Sequence, residues 1–196
     1  MKDQVAAVLD GSLAGPSTAA LRDAVGALNN ALNASAIPTG AIPPGSYVSS
    51  FFARPYVALA LGDGWTRYLD DGEVLAFHRG KTTLAFHHTA TAATSAAMVT
   101  AVGQGGNGEF TLPPTPVTIG AYTGLVGQTP VAATLWYDAA LNAYDPAPGD
   151  VVRIWVLTVE RRTLTIELLG PPAEVAGELP AVERILATFV AYEPPS

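Results

Sequence analysis

Glu73–His88 reads EVLAFHRGKTTLAFHH. Two apolar runs are joined at Arg79-Gly80-Lys81-Thr82, and Gly80 can supply the positive φ of a tight hairpin turn. A two-residue loop at Gly80-Lys81 sets the register. Arg79 then faces Thr82, His78 faces Thr83, Phe77 faces Leu84, Leu75 faces Phe86 and Glu73 faces His88. Because side chains alternate along a strand, Leu75, Phe77, Leu84 and Phe86 share one face, expected to be the core face. Val74, Ala76, His78, Thr83, Ala85 and His87 share the other. All three histidines of the chain lie in this stretch. His78 and His87 are about four residue steps apart, roughly 13 Å at the usual rise per residue, which is too far for one metal ion. His87 and His88 point to opposite faces. Glu73 and His88 form a candidate cross-strand pair.

The rest of the chain is consistent with one domain and a short appendage. Its 196 residues can bury a sizeable core, and with 49% apolar and 14% charged residues it is globular and not disordered. Seventeen acidic residues outweigh ten basic ones, giving a net charge of −7. With no basic patch to neutralise phosphates, nucleic acid is not expected as a partner. The absence of cysteine excludes disulfide and thiol chemistry. No run reaches the ~18 apolar residues of a membrane span, and the N-terminus shows no signal-peptide pattern.

Three segments follow from composition. In residues 1–33, Pro16-Ser17-Thr18 resembles a helix start, and Leu21, Val25, Leu28 and Leu32 form one stripe of an amphipathic helix. That helix either docks on the domain or serves a partner or a second copy of the chain. Residues 34–45, rich in Pro and Gly, read as a linker. Residues 46–196 read as a single α+β domain. Its strands are expected over Tyr47–Phe51, Tyr56–Leu61, Trp65–Tyr68, the two arms of the hairpin, Pro116–Gly120, Tyr122–Val126, Val131–Tyr137, Val151–Val159, Thr163–Leu169 and Thr188–Tyr192. A short helix is expected over Thr94–Val102 and a final one over Ala173–Ala187, kinked or divided at Pro180. Strands that do not alternate with helices argue for a mainly antiparallel sheet, covered by helices.

No motif for catalysis stands out. There is no Gly-x-Ser-x-Gly elbow, and Gly103–Gly108 lacks the Lys-Ser/Thr ending of a phosphate loop. Asp70, Asp71 and Glu73 form an acidic cluster whose bland reading is a solvated turn and whose sharp reading is the carboxylate pair of a hydrolase. Aromatic residues are the better clue, because Tyr and Trp serve surfaces where an apolar face meets water or a ligand. The candidate ligand-binding residues are Phe52, Tyr56, Trp65, Tyr68, Trp136 and Tyr144; the competing reading is that such rings are core. No cofactor and no metal site are expected.

Pro44–Trp65, PGSYVSSFFARPYVALALGDGW, is similar to the opening of an uncharacterised family of bacterial extracytoplasmic domains. The pattern there is Gly-x-Tyr-x-Ser-x-x-Phe, a proline, an apolar strand and Asp-Gly-Trp. PVTIGAYTG, VVRIWVLTV, TLTIELLG and ERILATFVAY also resemble that family, which together with the first segment looks like a PsbP-like α/β/α sandwich. The chain departs from the family at Glu160-Arg161-Arg162, at the Ala/Thr-rich middle segment and at Ala121. The resemblance implies a secreted or lipoprotein-anchored domain without catalytic activity, whose targeting segment is absent from this chain. It carries over no active site. The expected function is binding of a protein partner or small ligand through an aromatic-lined surface. A carboxylate-based hydrolase and a structural or assembly protein, possible as a homo-oligomer through residues 1–33, are the alternatives.

Overall fold

The computed structural model describes residues 34–50, 56–89, 110–130, 147–159 and 162–192. These residues form strands β1 (Ser35–Ala36), β2 (Gly40–Ala41), β3 (Gly45–Val48), β4 (Tyr56–Leu61), β5 (Thr66–Asp70), β6 (Val74–Arg79), β7 (Thr82–Thr89), β8 (Leu112–Ile119), β9 (Tyr122–Pro130), β10 (Val151–Val159), β11 (Arg162–Gly170) and β12 (Val190–Tyr192), with one helix, α1 (Pro172–Ala187). They make two sheets. The large sheet runs β2-β5-β6-β7-β11-β10-β9-β8 and the small one β1-β3-β4-β12. Every pairing is antiparallel except β1 with β3.

The hairpin has the register read from its sequence. Arg79 pairs Thr82, His78 pairs Thr83, Phe77 pairs Leu84 and Leu75 pairs Phe86, and Gly80 has φ 58°. The pairing of β7 with β11 and of β11 with β10 then fixes the faces of the large sheet. One face carries Leu75, Phe77, Leu84, Phe86, Leu164, Ile166, Leu168, Trp155 and Leu157, all in one core cluster with α1. The helix contributes Val175, Val182, Ile185 and Leu186 to that core. The second face carries Val74, Ala76, Ala85, His87, Thr165, Glu167, Val152, Ile154 and Val156, and these are buried as well.

The fold expectation of helices covering one antiparallel sheet, with an N-terminal helix, needs correction. Among the described residues strand dominates, there are two sheets, and α1 is the single helix. Of the strands at the two ends of the described chain, only β2 extends the main sheet, while β1, β3 and β12 do not. β3 and β12 flank β4 and β1 adds to β3, a sheet of their own that a strand count leaves invisible. The helices expected over residues 1–33 and over Thr94–Val102, and the strand over Val131–Tyr137, fall outside the described residues.

The stretch read as a linker is also tied down. Ile37 and Ile42 are buried, β2 pairs β5, and Arg67 Nη1 donates to the Ile37 carbonyl at 3.0 Å. Its prolines interrupt pairing without preventing the isoleucines between them from reaching the core. Pro180 neither ends nor divides α1. Proline removes one helical hydrogen bond, and the buried apolar residues on both sides of it hold the two halves in register. Two ties fix the small sheet. Thr188 Oγ1 donates to the Ile185 carbonyl at 2.8 Å and accepts from Ala60 N at 2.9 Å. Tyr122 Oη donates to the Ala191 carbonyl at 2.8 Å and accepts from Ala191 N at 2.9 Å, which docks β12 against β9.

Candidate functional site

An open cleft of about 570 Å³ lies at the β6–β7 turn, lined by His78, Gly80, Lys81, Thr83, Ala147, Asp150 and Pro171. Each wall follows from the strand geometry. His78 and Thr83 are a directly opposed pair on the second face, and Thr83 Oγ1 and His78 Nδ1 are hydrogen-bonded at 2.9 Å. Lys81 is held by the turn, where Thr82 Oγ1 donates to the Arg79 carbonyl at 2.8 Å. Gly170 lets the corner between β11 and α1 come close: its φ is 150°, and a Cβ there would stand 2.8 Å from the Lys81 carbonyl oxygen. Asp150 closes the far wall, its Oδ2 accepting from Ala147 N at 2.9 Å.

Residues bearing an imidazole, a hydroxyl, an ammonium and a carboxylate thus line one concave surface, with Thr83 and Asp150 themselves buried. Burial disfavours the charged imidazole and lowers the pKa of His78 below its ordinary 6.5; a hydrogen bond with the Thr82 backbone pulls the other way and is the smaller influence. His78 is therefore a neutral donor–acceptor at neutral pH. Tyr68 lies beside the cleft, 43% exposed, with its ring edge-on to His78 at 4.5 Å between centroids.

The remaining aromatic candidates do not gather here. Trp65 is 1% exposed and belongs to the core, with the Arg79 guanidinium over its ring at 5.7 Å, so no ring face is left for a ligand. Tyr56 is half-buried at the start of β4, in the small sheet. Phe52, Trp136 and Tyr144 lie outside the described residues. The acidic cluster is engaged with backbone. Asp71 Oδ1 accepts from Glu73 N and from Val74 N, each at 2.8 Å, and caps the turn before β6. Asp70 Oδ2 accepts from Ser50 N at 3.0 Å and lies 3.7 Å from Arg67 Nη1.

Sequence reasoning missed Glu167. It is 1% exposed on the second face of β11, one step diagonally from both Thr83 and His87. The local pattern points the other way: Thr163, Thr165 and Glu167 alternate with Leu164, Ile166 and Leu168, which reads as a polar solvent face, and only the fold shows that face to be buried. Among the described residues no group of three or more His, Cys, Asp or Glu stands close enough to hold a metal ion.

No helix among the described residues is long and apolar enough to cross a membrane. No protein-family model matches the chain, and no curated protein matches it. Among solved structures, a protein from Bacteroides thetaiotaomicron is similar with TM-score 0.49 at 11% identity; the match covers 74% of this chain and 47% of that one, so this chain spans less than half of its length. The Saccharomyces cerevisiae Ran-binding protein Mog1p is similar with TM-score 0.48 at 9% identity, over 77% of this chain and 97% of that one.

Proposed function

We propose that this chain is a non-catalytic binding domain that takes a small polar ligand in the cleft at the β6–β7 turn. The observation that carries the reading is that His78, Thr83, Lys81 and Asp150 line the cleft together, with the exposed Tyr68 ring edge-on to His78. The cleft's size falls in the range of roughly 300–1,000 Å³ usual for small-molecule sites. The engagement of Asp70 and Asp71 with backbone amides supports binding over carboxylate hydrolysis. An extracytoplasmic setting belongs to the same proposal and rests on the family resemblance alone.

Native mass spectrometry of gently purified chain tests it. The wild type should carry a small-molecule surplus over the denatured mass. Tyr68→Ala and Thr83→Val should each lower its occupancy, to about a tenth where one stacked or hydrogen-bonded contact worth about 1.4 kcal/mol is lost. A surplus indifferent to both changes would place the ligand elsewhere, and a bare chain that copurifies with another protein would favour a protein partner.

A further inference from the structure

The second face of the large sheet holds three buried polar side chains, each with an atom that lacks a hydrogen-bond partner. They are His87 Nε2, Thr165 Oγ1 and Glu167 Oε1. Thr165 stands directly opposite His87 across the β7–β11 ladder, and Glu167 is diagonal to it. His87 Nε2 and Glu167 Oε2 are 3.4 Å apart yet do not form a hydrogen bond. Ala85 stands opposite Glu167 and Ala76 opposite Ala85, while Val74 stands opposite His87 and Val156 opposite Thr165, so the neighbours of these polar groups are small apolar side chains. Buried polar atoms in folded proteins have partners with few exceptions, and each one left without costs about 1–3 kcal/mol. Three such atoms on adjacent positions of one face are most simply explained by one shared guest.

We propose that His87, Thr165 and Glu167 form an enclosed site for a single hydroxyl group, carried by an ordered water or by a small bound alcohol. The donor inventory selects this chemistry. An ionised Glu167 Oε1 only accepts, so the guest must donate. Thr165 can donate or accept, and His87 Nε2 donates in one tautomer and accepts in the other. A hydroxyl satisfies all of these roles. An anion would face a carboxylate of like charge. A bare cation has no lone pair for the imidazole N–H or the threonine O–H. The site is separate from the cleft: it lies one diagonal step beyond Thr83 and is buried, whereas the cleft is open.

A crystal structure of the full chain at a resolution that shows ordered water, combined with native mass spectrometry, tests this. A compact density peak at hydrogen-bond distance from all three atoms supports the site. No mass surplus then identifies water, and a surplus that matches the density identifies an alcohol. The near-isosteric Thr165→Val, which should still fold, is expected to lose the peak or cut its occupancy severalfold. The proposal fails if the three atoms bond to protein groups, if no density lies between them, if the peak persists unchanged in Thr165→Val, or if metal analysis finds a stoichiometric ion there.

Discussion

Along β6, β7, β10 and β11 both faces of the large sheet are mostly buried, but one of them carries several buried polar side chains among its apolar ones. Under α1 lie Leu75, Phe77, Leu84, Phe86, Leu164, Ile166 and Leu168, with the Phe86 and Phe189 rings stacked at 6.0 Å and Phe77 edge-on to Phe86 at 6.3 Å. On the other side the same strands place Thr83, His87, Thr165 and Glu167 among alanines and valines. Burial alone therefore does not identify which face stabilises the fold. The first face gains from every apolar group removed from water, while the second must recover the cost of desolvating polar groups by satisfying them.

The largest expected effect breaks the first face. Phe86→Ala should cost about 3–5 kcal/mol in urea unfolding, because it removes a ring at 0% exposure and leaves a cavity between Phe77 and Phe189. Against a typical total of about 5–15 kcal/mol, that brings the domain close to unfolding. A loss under about 1 kcal/mol would mean that this face is not the main core.

A double-mutant cycle probes the second face. His87→Leu leaves the Glu167 carboxylate without its nearest polar neighbour and should cost about 1–3 kcal/mol. The combined His87→Leu and Glu167→Leu variant should recover most of that loss, since apolar replacement of a whole buried pair is commonly neutral or stabilising. Strict additivity of the two changes would show that the pair is not energetically coupled.

A smaller effect is expected where the hairpin meets the helix. Arg79 Nη1 donates to Glu178 Oε2 at 3.0 Å, and its guanidinium covers Trp65 at 5.7 Å. Arg79→Ala should cost about 1 kcal/mol, part of it screened by salt, because the ion pair is partly exposed while the contact over the buried indole is not. If high salt erases the whole difference between variant and wild type, the contact with Trp65 contributes nothing.

The sequence made the first face legible because a two-residue turn and strict alternation leave little freedom. Once Gly80-Lys81 is the loop, Phe77 opposite Leu84 and Leu75 opposite Phe86 follow. Val151–Val159 and the last helix were legible for the same reason, being long and periodic. The small sheet and the edge strand β2 of the large one were not. Ser35–Ala36 and Gly40–Ala41 are too short to carry a pattern, and their pairing depends on where β3 and β5 lie in space. Tyr68 and Trp65 are both candidate ligand-binding rings on sequence; the first is exposed and the second is core, and nothing local to either distinguishes the two outcomes. The walls of the cleft come from segments some seventy to ninety residues apart, His78 and Thr83 on one side and Asp150 and Pro171 on the other, a juxtaposition that no local pattern encodes.

The gentlest perturbation is pH, and it acts where the second face meets water. Burial lowers the pKa of His78 below 6.5, and the hydrogen bond with the Thr82 backbone offsets only part of this. The folded state therefore binds the proton more weakly than the unfolded chain does. The sign follows: the stability linked to His78 is fully present above 6.5 and is lost as pH falls through the lower, folded-state midpoint. Charging the ring makes both its nitrogens donors, so Thr83 Oγ1, at 2.9 Å from Nδ1, then accepts. An imidazole NMR titration should place the midpoint of His78 below 6.5, and His78→Gln should flatten the dependence of unfolding free energy on pH over that interval. A midpoint at or above 6.5 would mean that the ring is better solvated than its place at the cleft wall implies, and the neutral imidazole would have to be dropped from the binding surface.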